Sequence, residues 1–417
     1  MGKIEAPTAQ RKWQDILFSR RMLICIFIGF SSGLPLYVLI QLVPAWLRSN
    51  EVDLATIGLF SLVALPYTWK FIWSPLMDRF TLPFLGRRRG WALITQLALL
   101  LSIGALGLFD PRESLQAIVV VVFVVSLFSA SQDIVIDAYR RELLADDELG
   151  TGNSFFINAY RLSSLVPGSL ALILSDLLPW ATVYWVTASF MLVGVATTFV
   201  IREVSDDSLA PHSLREAVVE PFREFFRRDG VPAALTILAF MFFYKLGDNM
   251  ATALATPFYL DMGFSRTEIG AIAKVAALWS VIAGSIIGGI AMLKLSINRA
   301  LWLFGLVQLV TILGFAWLST EGHNPTGLFI VVSAEYLGVG LGTVALTAYI
   351  ARETSLAFTA TQFALFTSFI AVPRTFANAS TGFLIEAMGY TSFFLLCTAV
   401  AVPGMLMLIK VAPWKEG

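Results

Sequence analysis

The chain has 417 residues, of which 57% are hydrophobic and only 14% charged, and its mean hydropathy is +0.76. A soluble domain carries about 25% charged residues, so this composition excludes one and points to a protein that crosses a membrane many times. Lys plus Arg and Asp plus Glu are 29 each, so net charge identifies no partner, and no nucleic-acid partner is expected.

The N-terminus carries Arg11, Lys12, Arg20 and Arg21 ahead of an apolar segment that starts near Met22. That segment is too long for a cleavable signal peptide, and no small-residue cleavage site follows it. Segments able to span a bilayer, about 17–25 residues each, then recur at 22–47, 54–77, 91–109, 115–139, 151–174, 180–201, 232–260, 267–292, 299–318, 326–350, 356–385 and 390–410. Solid apolar runs exclude a β-barrel, whose strands alternate. The expectation is an all-α membrane protein of twelve transmembrane helices: a six-helix bundle over 1–201, a linker over 202–231 and a second six-helix bundle over 232–417.

Positive charge sets the expected orientation. With both termini cytoplasmic, the cytoplasmic segments hold 21 Lys and Arg residues and the opposite side holds 3 (Arg48, Arg112 and Arg266). Cytoplasmic loops are the ones enriched in Lys and Arg. In the linker, Ser213 and Glu216 have capping-box spacing. Leu214, Val218, Phe222 and Phe225 share one helical face, which predicts an amphipathic element on the cytoplasmic surface. Pro221 is expected to kink or split it.

The two halves echo each other. Ile57-Gly58 and Ile269-Gly270 are 269 − 57 = 212 positions apart, and Arg161 and Arg374 are 374 − 161 = 213 apart. Matching offsets for matching helices suggest two six-helix halves in parallel repeat.

Ionisable residues inside spans are functional candidates by default. The polar residues stranded in this chain's spans are Lys70, Gln132, Asp133, Asp137, Arg161, Lys245, Asp248, Lys274, Glu335 and Arg374. Asp133 and Asp137 lie four apart in SASQDIVIDAYR (129–140), which puts both carboxylates on one helix face. They and Glu335 are candidates for proton coupling: burial favours the neutral acid, a nearby cation the anion. Arg161 and Arg374 keep their charge and suit bidentate contact with an anionic substrate; the competing reading pairs them with Asp133 and Glu335. Lys245 and Asp248 have the spacing of a local ion pair. Lys70 and Lys274 complete the cationic set, although a lysine stem also reaches an interface. Tyr67, Trp69 and Trp73 crowd Lys70, Tyr160 precedes Arg161 and Tyr244 precedes Lys245. Such rings suit sugar or acyl groups, or simple packing. Cys25 and Cys397 fall in predicted spans at opposite ends of the chain, so neither a disulfide nor a Cys-based metal site is expected. His212 and His323 fall in predicted loops. No HExxH or GxxxxGK[ST] pattern occurs, so no enzyme is expected.

KFIWSPLMDRF (70–80) followed by GRRRG (86–90) resembles the loop between helices two and three of major facilitator superfamily carriers, where an Asp-Arg and a basic cluster latch the halves. By that resemblance Asp78, Arg79, Arg87 and Arg88 are gating residues. SGLPL (32–36), SASQDIVIDAYR (129–140), YKLGD (244–248), ATQFAL (360–365) and AVVEPFREFF (217–226) resemble segments of one branch, the AmpG muropeptide permeases. That resemblance implies the major facilitator fold and proton-driven import of N-acetylglucosaminyl-anhydro-N-acetylmuramyl peptides for peptidoglycan recycling, linked to β-lactamase induction. It further implies a bacterial inner-membrane location, a monomer in lipid, and no cofactor besides the proton gradient. The Gln132-Asp133-x-x-x-Asp137 pattern is shared with acetyl-CoA transporter relatives and siderophore-uptake permeases, so a siderophore or other amphipathic anion is the alternative cargo.

Overall fold

A computed structural model describes residues 17–52, 65–82, 85–204, 213–228, 230–264 and 268–414. Among these no strand forms; the one ladder contact is an isolated bridge between Leu82 and Gly86. Among the described residues ten helices are long and apolar enough to cross a membrane, with a shorter apolar helix at Leu356–Ala371.

We number the membrane helices α1–α12. In the N-terminal half, α1 runs over Arg20–Tyr37 and continues through a π turn at Val38–Leu42 into Val43–Ser49. The described part of α2 is Leu65–Trp69, a 3-10 turn Lys70–Ile72, and Ser74–Arg79. Then come α3 (Arg87–Leu106), α4 (Leu115–Leu143), α5 (Leu149–Leu162, extended through a π turn at Val166–Leu170 to Ser175) and α6 (Trp180–Val200). The linker helix is Leu214–Arg228. In the C-terminal half, α7 has three pieces, Val231–Tyr244, Leu246–Ala253 and Ala255–Asp261. There follow α8 (a π turn at Ile269–Lys274, then Val275–Ala291), α9 (Ile297–Glu321), α10 (Pro325–Glu353), α11 (359–388) and α12 (390–411). The last two are divided at Gly389, whose φ of 76° only glycine adopts without strain.

The repeat is sharpest where α4–α5 and α10–α11 correspond. Helices 115–143 and 325–353 are each followed by a one-turn 3-10 helix, at Asp146–Glu148 and Leu356–Phe358, and then by helices starting at 149 and 359. The offset is 359 − 149 = 210, not the 212 or 213 expected from sequence coincidences. Arg161 therefore corresponds to Ala371 rather than to Arg374, about one helical turn away. Ile57-Gly58, His212, Arg266 and the side chain of Arg374 lie outside the described residues.

The buried apolar residues divide unequally. On the side that carries the linker helix, one cluster joins both halves, with Met22, Ile134, Tyr139 and Phe156 on one part and Phe240, Tyr349, Phe363 and Phe366 on the other. Toward the opposite side lie separate clusters, around Trp46 and Tyr184 in the N-terminal half and around Phe258 and Phe315 in the C-terminal half. The halves are thus packed into one body at the linker face and keep distinct cores beyond it.

The linker helix corrects its expected form. Pro221 does not split it, and the buried stripe is Ala217, Pro221 and Phe225, while Val218 is exposed. The helix packs on α11, where Phe225 meets the Phe366 ring edge-on at 5.0 Å, so protein rather than the membrane surface selects the face. Ser213 does cap it, its Oγ accepting from the Glu216 N–H.

Candidate functional site

A cavity of about 660 Å³ lies between the halves, lined by Arg161 of α5 and by residues of α7, α10 and α11, among them Lys245, Asp248, Asn249, Tyr336 and Thr347. Its position follows from broken helices. A break at Lys245 (φ −109°, ψ −1°) interrupts α7, and a 3-10 turn at Lys70 interrupts α2. Such breaks free backbone groups, which membrane proteins tolerate only beside protein or a water-filled space.

In the N-terminal half, Arg161 is the residue that lines this cavity; within the same half, Ser32 of α1 donates a hydrogen bond to the Asp133 carboxylate. One turn on, Asp137 pairs with Arg140 at 2.9 Å and with Lys70 at 3.8 Å. The two aspartates share a face as their spacing predicts, yet their surroundings differ: Asp133 has a hydroxyl partner, Asp137 two cations. Tyr67 and Trp73 frame the site by donating to Ser129 and Ser131 of α4. Trp69 is exposed. Tyr160 sits edge-on to Tyr37 with ring centroids 5.9 Å apart. Gln132 is fully buried and turned to α1, its amide donating to Ser31 at 3.4 Å.

On the C-terminal wall, Lys245 and Asp248 form the expected local pair at 2.5 Å, and Gln308 donates to Asp248 at 3.2 Å. Glu335 is fully buried, with the Thr311 hydroxyl of α9 set against its carboxyl and no cation in ion-pair contact among the described residues. A buried carboxylate without a cation partner is costly as an anion. Of the expected substrate-binding residues, Arg161, Lys245 and Asp248 line the cavity, whereas Lys70, Gln132, Tyr160, Tyr244 and Lys274 do not. The Tyr244 hydroxyl is spent on the Leu301 carbonyl at 2.9 Å inside the C-terminal core, because the helix break turns Lys245, not Tyr244, toward the cavity. Lys274 is exposed on the π turn opening α8 and does not line the cavity.

Arg161 is neither paired with Asp133 nor left to the cavity alone. It crosses to α8, donating to the Val281 carbonyl at 3.1 Å and the Ser285 hydroxyl at 2.7 Å. Ser154 and Thr151 of α5 likewise donate to the Ser285 and Gly289 carbonyls at 2.6 and 3.0 Å. At Gly289 a Cβ would lie 2.4 Å from Ser154 Cβ, so this contact needs glycine.

The latch residues close the linker face. Asp78 is fully buried; its carboxylate takes 2.9 Å from Arg88, 3.2 Å from the Ala360 N–H, and 2.7 Å from both the N–H and the hydroxyl of Thr361. The acceptor sits on the first turn of α11, where free N–H groups favour an anion. Arg88 also binds Glu142 at 2.7 Å, and Arg87 donates to the Asp78 carbonyl at 3.3 Å. Arg79, expected to gate, instead lies against the Phe80 ring at 5.6 Å. Gln362, quoted above only as part of a motif, is fully buried. It accepts from the Ser355 N–H and donates to the Pro221 carbonyl and to Glu224 of the linker helix. Burial raises the Glu224 pKa, but hydrogen bonds from Arg228 and Gln362 outweigh it and hold the carboxyl below its usual 4.5. Among the described residues no His, Cys, Asp and Glu cluster is placed to hold a metal.

Comparisons with known proteins agree with this arrangement. A family model described as Major Facilitator Superfamily matches residues 22–378. The chain is 40% identical over 391 residues to the anhydromuropeptide permease of Escherichia coli, covering 93% of this chain and 79% of that protein. It is 48% identical over 409 residues to an uncharacterized protein of Haemophilus influenzae, covering 96% of each, and 30% identical over 407 residues to the putative transporter AmpG 4 of Rickettsia felis, covering 94% and 97%. Among solved structures, the human organic anion transporter MFSD10 superposes with a TM-score of 0.73 at 14% identity, covering 93% of this chain and 99% of that one. The proton:xylose symporter XylE superposes at 0.67 and 10% identity, covering 96% of each.

Proposed function

The chain belongs to the Major Facilitator Superfamily, and within it to the AmpG family of anhydromuropeptide permeases, and from that premise we propose that it imports anhydro-muropeptides together with protons. It is a multi-pass membrane transporter of a small molecule and not an enzyme. The observation that carries the substrate class is the 40% identity to a named permease across 93% of this chain. The cavity chemistry supports it: a sugar body with several carboxylates suits a space lined by Arg161, Lys245, Tyr336 and hydroxyl side chains.

The linker face carries the excess of basic residues and is the cytoplasmic face by the positive-inside rule. Both termini then lie in the cytoplasm of a bacterium, with the protein in its inner membrane and lipid around it. With the cytoplasmic face latched, the cavity serves the periplasmic side, the state that receives cargo. Rocking of the halves about this site would break the Asp78–Thr361 and Arg161–Ser285 contacts and deliver the cargo inward by alternating access.

Asp133 is the proton carrier in this reading. Its partner is a hydroxyl, which can donate to the anion or accept from the acid, so the residue holds its place in either protonation state. Asp137, clamped by Lys70 and Arg140, keeps the neighbouring charge fixed. Glu335 is the matching site in the C-terminal half. One inward proton supplies about 2.3 kcal/mol per 100 mV, roughly 40-fold in accumulation, so the gradient serves as the energy source and no cofactor is required. The test is uptake of labelled N-acetylglucosaminyl-anhydro-N-acetylmuramic acid and its tripeptide into cells lacking their own permease, with and without an uncoupler. Uncoupler-sensitive uptake is expected. Uptake of a labelled siderophore, but of no muropeptide, by the correctly inserted protein would overturn the assignment.

A further inference from the structure

Four threonines line the C-terminal wall of the cavity: Thr252 on α7, Thr343 and Thr347 on α10, and Thr367 on α11. Each hydroxyl donates to a carbonyl one turn back on its own helix. Thr252 bonds to the Asp248 carbonyl at 2.7 Å, Thr343 to Val339 at 2.6 Å, Thr347 to Thr343 at 2.8 Å and Thr367 to Phe363 at 2.9 Å. A hydroxyl has one proton and two acceptor lone pairs. With the proton committed to the helix, what it offers the cavity is an acceptor.

The position of two of them is not arbitrary. At the repeat offset of 210, Thr343 and Thr347 stand on α10 where Asp133 and Asp137 stand on α4 (343 − 133 = 347 − 137 = 210). The repeat therefore carries carboxylates in one half and neutral acceptors at the equivalent positions in the other. A neutral acceptor binds a donor without taking up or releasing a proton, so recognition by these hydroxyls is separate from proton coupling.

We propose that the threonine wall is the specificity surface of the carrier, reading N–H and O–H donors on the cargo: the acetamido and peptide N–H groups and the sugar hydroxyls. This rests on the transport reading above. A site built to pair with donors discriminates against a molecule of similar size that lacks them, because its polar groups are then desolvated without a partner. Amphipathic anions poor in donors, such as fatty acyl chains, are excluded on this wall.

The experiment is concentration-dependent uptake of the labelled anhydro-disaccharide tripeptide into membrane vesicles. It compares wild type, the pair Thr343→Val and Thr347→Val, and the same two positions changed to Ser. Valine keeps the shape and removes the hydroxyl. The valine pair is expected to raise KM roughly tenfold for two lost hydrogen bonds while keeping the maximal rate; the serine pair restores the wild-type KM. Single valines are expected at about threefold each and serve if the pair inserts poorly. Thr236→Val is the control, because Thr236 bonds its own i − 4 carbonyl, Pro232, at 2.7 Å outside this cavity; its KM should not move. An unchanged KM in the valine pair and the singles overturns the inference, as does a serine pair as impaired as the valine pair. Wild-type protein that takes up no muropeptide defeats the transport reading and this inference together, whereas normal wild-type uptake with unaffected valines defeats this inference alone.

Discussion

Thr151 and Thr361 stand 361 − 151 = 210 positions apart at the starts of α5 and α11, and each hydroxyl reaches across to the other half of the protein. Thr151 donates to the Gly289 carbonyl at 3.0 Å and Thr361 to the Asp78 carboxylate at 2.7 Å. The repeat thus closes the linker face twice with the same kind of residue, once on a neutral acceptor and once on an anion.

The anionic closure is the stronger. Asp78 accepts from three groups of α11 and from Arg88, all buried, and removing one member of such a set costs about 3–5 kcal/mol. Asp78→Asn is expected to open the linker face. A cysteine introduced at Ala360 should pass from protected to rapidly alkylated from that side, against a background in which Cys25 and Cys397 are buried. Continued protection would mean that the apolar cluster alone holds the closure.

The neutral closure depends on backbone proximity. Gly289→Val would place side-chain carbon inside the contact distance to Ser154. The variant is expected to insert normally and lose more than about 90% of its uptake, since overpacking costs roughly 1–3 kcal/mol at the point where the halves meet. Uptake at the wild-type rate would show that α5 and α8 need not touch during the cycle.

The proton role separates from the binding role at Asp133. Asp133→Asn keeps a partner for Ser32 but cannot exchange a proton. Accumulation against a gradient should vanish, while counterflow exchange of labelled for unlabelled muropeptide across vesicles persists. Accumulation that survives the change would move the coupling to Glu335.

Acidity at the linker helix gives a prediction with a definite sign. The Glu224 carboxyl is held below its usual 4.5 in the folded protein. Its contribution to docking is therefore complete above that value and is lost as pH falls through the lower, folded one. Hydrogen exchange of residues 214–228 should rise as pH drops below about 4.5, after correction for intrinsic exchange. In Glu224→Gln that step should be missing. An unaltered profile in the variant would exclude Glu224 as its source.

Much of the architecture could be read from the chain because hydropathy separates lipid-compatible stretches from the rest, and the four-residue spacing of Asp133 and Asp137 correctly put them on one face. Asp78 and Arg88, singled out by resemblance alone, share one buried network with the first turn of α11. What the chain concealed were relationships set by breaks and partners. The interruption at Lys245, with no Pro or Gly at that residue to mark it, turns that side chain to the cavity and Tyr244 away. Arg161 shows its charge in the sequence but not its two bonds to α8. The cavity threonines are neutral on any hydropathy scale, and Gln362 carries no charge, so neither stands out until the fold places them. The buried stripe of the linker helix was misjudged by one position on the helical wheel, because α11 rather than the bilayer selects it.

The seat of the linker helix has one more consequence. Gln362 lies beside the Thr361 that grips Asp78, and it holds the linker helix through Pro221 and Glu224. Any opening of this face would pull on that amide, which ties the closure to a helix outside the cavity.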